Sequence, residues 1–274
     1  MNHPRVGIVI PCHNDDPDHL REAVQSALHQ SMPANVVVVN DGTTRAETLA
    51  AFSELPESVN VIHQPNAGLS NARNVGIASL DTDYIQVLDA DDWLTPGFVE
   101  AAAAALTAGA RIAAADTQLF GEANYLHRIP DRTILADMVD TNLIGSASMF
   151  HRSDWESVGG FDEDLFGASE DYEFWVRLLA LGGEARRIPG ELFHHRVRPN
   201  SLSALIMADF RTSRRITRAA MARNTPAIAG PALDRVDDLL DEVRRLREEN
   251  AWWWSRFGFI RRAARRTRSL LRKT

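Results

Sequence analysis

The chain has 274 residues, with 30 Lys and Arg against 37 Asp and Glu, 45% apolar residues and one cysteine. That length holds one large domain or two small ones, and the apolar fraction is enough for a packed core rather than a disordered chain. The lone Cys12 excludes intramolecular disulfides and a thiolate-cage zinc site, and the net charge of −7 argues against nucleic acid as a partner.

The charge is unevenly spread. Beyond Glu249 there is no acid but there are eight bases, from Arg256 to Lys273, so an acidic body carries a basic tail. Such a tail points to an anionic surface. The early apolar run Val6–Pro11 is too short for a secretory leader, and the alanine-rich stretch 101–115 is too short and too charged to span a membrane. The expectation is a cytoplasmic protein, peripheral on the inner face of the plasma membrane.

In chain order, RVGIVIPC (5–12) reads as a buried strand, being short, apolar and β-branched. Residues 17–29 space Leu20, Ala23, Val24, Ala27 and Leu28 as a helix begun by a first-turn proline. NVVVVND (35–41) is a second strand, 46–55 a helix, 59–64 a strand and 69–79 a helix. DYIQVLDADD (83–92) reads as a strand running into acid, followed by a helix at 97–108 and a strand at 110–115. Four such repeats predict a parallel, doubly wound sheet with helices on both faces.

The second half is less regular. It offers an extended piece at 146–151, a helix from Glu170 to Gly182, short strands at 185–188 and 192–197, and a helix over 201–223. After the break at Pro226, Gly230 and Pro231, the residues Leu233, Val236, Leu240 and Val243 repeat at coiled-coil spacing in a helix ending at Asn250.

Ligands of open α/β sheets sit beyond the carboxyl ends of the strands. Here those ends carry Pro11–Asn14, Asn40–Asp41 and Asp89–Asp92. Three neighbouring carboxylates cannot all ionise comfortably without a cation, and hard oxygen ligands suit Mg²⁺ or Mn²⁺. The same LDADDW also reads as a plain strand–turn capping the next helix. GLSNARNVG (68–76) sets glycines and Arg73 at a helix start, which is either an anion site or an ordinary capped helix. Glu170–Asp171 opens a helix, either to complement its dipole or to supply a general base. Neither G-x-G-x-x-G after the first strand nor G-x-x-x-x-G-K-[ST] is present, which disfavours a dinucleotide dehydrogenase and a P-loop ATPase.

In combination the segments are more specific. IVIPCHN, VVVNDGT, NAGLSNARNVG, VLDADDW, VGGFDE and EDYEFWVRLLALG, in that order, resemble the family 2 glycosyltransferases, inverting enzymes of the GT-A fold. The resemblance covers Val6 to Ser203 and not the tail. It implies a mostly parallel, Rossmann-like α/β sheet flanked by helices, in a transferase domain over 1–223 with a nucleotide-binding half (1–115) and an acceptor half (116–223). A helical, coiled-coil-like and basic amphipathic extension follows over 231–274.

The resemblance also implies roles. Pro11, His13 and Asn14 would border the nucleotide base, with His13 where a tyrosine is frequent, and Asp41 would read the uracil imide and ribose. Arg73 would lie near the base and diphosphate. Asp89 would contact ribose or donor sugar, and Asp91 would bind the Mn²⁺ or Mg²⁺ that bridges the diphosphate. Asp171 would be the catalytic base, with Glu170 positioning it or the acceptor. In FHHRVRPNSLS (193–203), Arg198 departs from the family pattern, standing where a histidine is common. An arginine cannot ligate metal but can pair with a diphosphate. His194 and His195 read as strand residues.

The expected activity is transfer of a sugar from a UDP-sugar donor to a saccharide or lipid-linked acceptor hydroxyl. The competing readings are a nucleotidyltransferase and a catalytically silent scaffold acting through its tail. The expected partners are the donor, the acceptor, an anionic membrane surface and a second copy bound through the C-terminal helix.

Overall fold

The computed structural model describes residues 4–165, 169–199 and 209–249. They divide into two compact units, one ending at Ile228 and the other beginning at Ala229.

The first unit is a ten-stranded sheet with helices on both faces. Strands β1 (Val6–Cys12), β2 (Asn35–Asp41), β3 (Asn60–Gln64) and β4 (Tyr84–Val87) alternate with helices α1 (Pro17–Leu28), α2 (Ala46–Glu54) and α3 (Leu69–Ala78). They pair in parallel in the order β3-β2-β1-β4. Helix α1 starts where the sequence says it should. Asp16 accepts from the Asp18 N–H at 3.0 Å and Pro17 occupies the first turn.

After β4 come β5 (Trp93–Leu94), α4 (Phe98–Thr107), β6 (Ile112–Gly121), β7 (Tyr125–His127), β8 (Arg132–Thr133) and a 3₁₀ turn at Leu135–Val139. Then follow β9 (Met149–His151), α5 (Arg152–Val158), α6 (Glu170–Ala180), β10 (Ala185–Val197) and α7 (Phe210–Asn224). Antiparallel β9 joins β4 to β6, and β6 pairs in parallel with β10.

Both faces of the central strands are buried, as their unbroken apolar runs require. Val6, Ile8 and Ile10 of β1 and Val36 and Val38 of β2 face a cluster shared with α1 and α4. Val9, Val37 and Val39 face the opposite cluster, built on α3 and the Phe174–Trp175 side of α6. Helix α3 lies so close to the sheet that a Cβ on Gly76 would stand 2.4 Å from Cγ1 of Val9.

Several elements differ from the sequence reading. The strand expected at 83–92 stops at Val87, and the acids occupy a turn in which Asp92 N–H bonds Asp89 O at 3.1 Å. A run of carboxylates has no partner strand to pair with there, and the turn lets each acid find its own cation. The strand expected at 110–115 extends to Gly121. The two short strands at 185–188 and 192–197 are one, β10, with a register shift between Arg187 and Leu192 around Gly190 at φ +83°. Helix α7 begins at Phe210; of the helix expected over 201–223, residues 201–208 lie outside the described residues. Helix α5 and strands β7 and β8 are too short to leave a periodic signal.

In the second unit, residues 229–249 form a helix, α8. Leu233, Val236, Leu240 and Val243 on it are each exposed. The aromatic and basic tail from Asn250 onward lies outside the described residues. Among the described residues, no helix is long and apolar enough to cross a membrane.

Candidate active site

A cleft of about 490 Å³ opens at the carboxyl edge of the parallel strands. Its lining includes Pro11, His13, Asp41, Arg73, Asp89 and Asp91 from the parallel half and Thr117, His127, Asn142, Glu170, Asp171, His195 and Arg198 from the rest of the chain. Thus the site residues expected from the sequence line one cavity, with the exception of Asn14.

Asn14 sits in the left-handed region at φ +57°. Its Oδ1 accepts from the N–H groups of Thr44 and Arg45 at 2.8 and 2.9 Å, which ties the end of β1 to the loop after β2. His13 bonds the Asp41 carbonyl through Nδ1 at 2.6 Å. Asp41 is buried, and its carboxylate holds the next loop. Oδ1 accepts from Ala67 N–H and Gln64 Nε2 at 2.8 Å, and Oδ2 from Gly68 N–H at 2.9 Å. Gly68, at φ +91°, supplies the left-handed entry into α3.

Arg73 lines the cleft yet is only 1% exposed. It donates from Nη1 to Glu170 Oε1 at 2.7 Å and from Nη2 to Asp89 Oδ1 at 2.8 Å, with its guanidinium over the Phe161 ring. Burial opposes its charge, but Asp89 and Glu170 outweigh burial and hold it protonated. It therefore ties Asp89 to the helix that carries Asp171.

The three acids of the turn each have a separate cation. Asp89 has Arg73; Asp91 has Arg198; Asp92 has His195. Fully buried Asp92 accepts from Arg196 N–H at 2.8 Å and pairs with His195 Nδ1 at 2.9 Å. Burial alone would lower the His195 pKa, but Asp92 raises it to about 9. His195 is a residue of strand β10, as the sequence suggests, and it also lines the cleft. His194, by contrast, stacks on Trp93 at 3.4 Å.

Asp171, in the first turn of α6, is pushed up to about 7, first by burial and then by the Glu170 charge, against the pull of Arg73. Its Oδ2 accepts from Asn142 Nδ2 at 3.0 Å and its Oδ1 from Tyr172 N–H at 2.8 Å. Asn142 is a site residue that the sequence did not announce. It lies in an irregular loop, where an asparagine has no periodic or motif signature.

The cleft thus gathers several carboxylates; Asp171 among them, and Asp92 of the same turn as Asp89 and Asp91, are pushed up to about 7 mainly by burial. The family described as glycosyl transferase family 2 matches residues 7–162, more than half of the chain. The protein is a glycosyltransferase and belongs to that family. A second family, described as the N-terminal domain of galactosyltransferase, matches residues 138–198.

Among curated relatives, the uncharacterized glycosyltransferase YwdF of Bacillus subtilis is 30% identical over 195 residues, spanning 68% of this chain and 71% of that protein. Glycosyltransferase GlyA of Streptococcus pneumoniae is 36% identical over 99 residues, 35% of this chain but 14% of its own length. The chain therefore spans a small part of some relatives it matches. The fold is also that of S. aureus TarS in complex with UDP-GlcNAc, with a TM-score of 0.66 at 16% identity over 84% of this chain and 72% of that one. Enzymes of family 2 generally use a divalent metal.

Proposed function

We propose that the chain moves a sugar from a UDP-sugar to an acceptor hydroxyl with inversion at the anomeric carbon, in the synthesis of a cell-surface polysaccharide or glycolipid. The observation that carries this reading is the convergence of Asp89, Asp91 and Asp171 on one cleft. The TarS complexes with UDP and UDP-GlcNAc, and relatives such as the succinoglycan biosynthesis protein ExoW, favour the donor class and the setting.

Inversion needs the acceptor hydroxyl to attack from the face opposite the leaving diphosphate. A base near the working pH serves that step best, because it is ionised yet basic enough to take the proton. Asp171 would accept the hydroxyl proton. Asn142 holds one of its oxygens, and Glu170, fixed by Arg73, sets the local field. Pro11 and His13 would frame the base. Asp41 would accept the uracil N3–H on a remaining lone pair, since each carboxylate oxygen has two. Asn14 would act on that site through the loop it anchors.

The residues fit a divalent ion of hard character. Asp91 offers carboxylate oxygen on the cleft wall, and Mg²⁺ is usually held by one or two carboxylates plus substrate phosphates and water. Among the described residues no three His, Cys, Asp or Glu side chains form a cluster able to hold a metal, so substrate and water would complete the shell of Mn²⁺ or Mg²⁺. Such an ion supplies positive charge to the leaving diphosphate.

We read residues 1–223 as the transferase domain and 231–274 as a tail that docks on the anionic inner face of the plasma membrane. The exposed seam on α8 suits pairing with a second copy. A lipid-linked or saccharide acceptor fits that location.

The test is a panel of UDP, GDP and dTDP with Mn²⁺ in thermal shift, followed by nucleotide release from the matching sugar donors. Stabilisation and release with uridine donors are expected. Response to guanosine donors alone would overturn the assignment of Asp41.

A further inference from the structure

The cation on Asp91 is already in the protein. Resting on the diphosphate-donor reading, we propose that Arg198 is a resident cation of the donor site, which binds the diphosphate without metal and competes with a divalent ion for Asp91.

The three acid–cation pairs of the turn differ in what they leave free. Arg73, itself 1% exposed, spends both Nη atoms on Asp89 and Glu170. His195 is fixed through Nδ1 by buried Asp92. Arg198, directly after β10, pairs through Nη2 with Asp91 Oδ2 and lies 3.6 Å from Asp15 Oδ1. Its side chain is 36% exposed on the cleft wall, whereas those of Asp91 and Asp15 are 11% and 18% exposed. Its Nε is buried with no hydrogen-bond partner among the described residues. A guanidinium carries five N–H donors in a planar fork suited to phosphate oxygens, and this one has donors to spare.

Charge sets the consequence. A diphosphate brought up to Asp91 meets a carboxylate, and some cation must stand between them. Arg198, paired with Asp91 and exposed on the cleft, stands there. A divalent ion arriving at Asp91 meets the same guanidinium as a like charge. Metal binding in the free enzyme is therefore weakened, while donor binding keeps a metal-independent component. A histidine at 198 would reverse this, since an imidazole is neutral when it ligates.

The test is calorimetry on the full chain, titrating UDP in EDTA and in MnCl₂, and MnCl₂ alone. The parent should bind UDP in EDTA within about tenfold of its affinity in Mn²⁺. Losing a charge-assisted hydrogen bond, roughly 1.5–3 kcal/mol, predicts that Arg198→Ala weakens UDP binding in EDTA by about 10- to 150-fold. Arg198→Lys should restore most of it. Arg198→His should bind Mn²⁺ more tightly than the parent and bind UDP only when Mn²⁺ is present. Melting curves check that each variant is folded. Parent UDP binding that vanishes in EDTA, or Arg198→Ala that binds UDP in EDTA as the parent does, overturns the proposal. UDP that binds neither with nor without Mn²⁺ overturns the donor reading instead.

Discussion

Replacing Asp171 with asparagine should slow the enzyme and stabilise it, and the second effect should depend on pH. Burial and Glu170 move this carboxyl from 3.8 to about 7 in the folded chain. At 1.36 kcal/mol per pKa unit, the protonated form is favoured by about 4 kcal/mol relative to the unfolded chain. Because the folded value is the higher one, the stabilising proton is fully bound below about pH 4 and is lost as pH rises through about 7. The parent should therefore lose stability across that window, and Asp171→Asn, which cannot ionise, should not. The carboxylate accepts from both Asn142 and Tyr172 through different oxygens, whereas an amide has one oxygen. One of those bonds is lost, at about 1 kcal/mol. The net expectation from urea denaturation is a gain of about 3 kcal/mol at pH 8.5 and a loss of about 1 kcal/mol at pH 4. Turnover should fall by roughly 10²–10⁴, the usual weight of a general base, and the parent's kcat should rise as pH rises through about 7. A stability change that is the same at both pH values would refute the buried-charge argument. Turnover close to the parent's would refute the role as base.

Arg73→Met should destabilise by about 3–5 kcal/mol in denaturant, because Glu170 and Asp89 lose their shared partner; a loss under about 1 kcal/mol would mean the cross-link is slack. Gly76→Ala should cost about 1–3 kcal/mol, since the new methyl meets Val9 Cγ1 at 2.4 Å and Val39 Cγ2 at 3.0 Å, both rigid β-branched core groups; an unchanged melting temperature would show that α3 can lift off the sheet. Deleting residues 251–274 should preserve UDP affinity and abolish sedimentation with anionic vesicles at low salt, each base there being worth about 1 kcal/mol. Intact chain that ignores such vesicles would refute membrane docking.

The parallel half of the fold was legible because its strands are buried on both faces and so read as unbroken runs. VGIVIP and VVVV admit no other assignment between two proline- or asparagine-marked turns. The second half was harder for a physical reason. Its elements are held by distant side chains and not by local pattern. The 13-residue β10 spans a register shift, so its two ends read as separate strands, and α5 is a seven-residue helix with no buried face to give it a period. The site divides in the same way. Acids at strand ends announce themselves by type and place, but Asn142 reaches Asp171 across 29 positions from a loop, and nothing in TNLIG marks it.

The Asp89–Asp92 turn shows how far a charge argument from sequence extends. Three carboxylates so close together require positive charge, and that requirement could be read directly from LDADD. What could not be read is who meets it. Arg73 comes from α3, His195 from β10 and Arg198 from the residue just past it, more than 100 positions away for the last two. Each acid thus gains its own cation from a different part of the chain. Asp92 is fully buried beside His195, the Asp89 side chain is 28% exposed beside buried Arg73, and Asp91 is 11% exposed beside Arg198, itself 36% exposed on the cleft. The buried Asp92–His195 pair is too costly to break and so fixes the turn. Arg198 is the most exposed of the three cations, and its pair with Asp91 is, on the proposal above, the one that a cation arriving with substrate would contest. On the proposal made above, Asp91 is where protein charge and imported charge would compete, with residue 198 setting the terms.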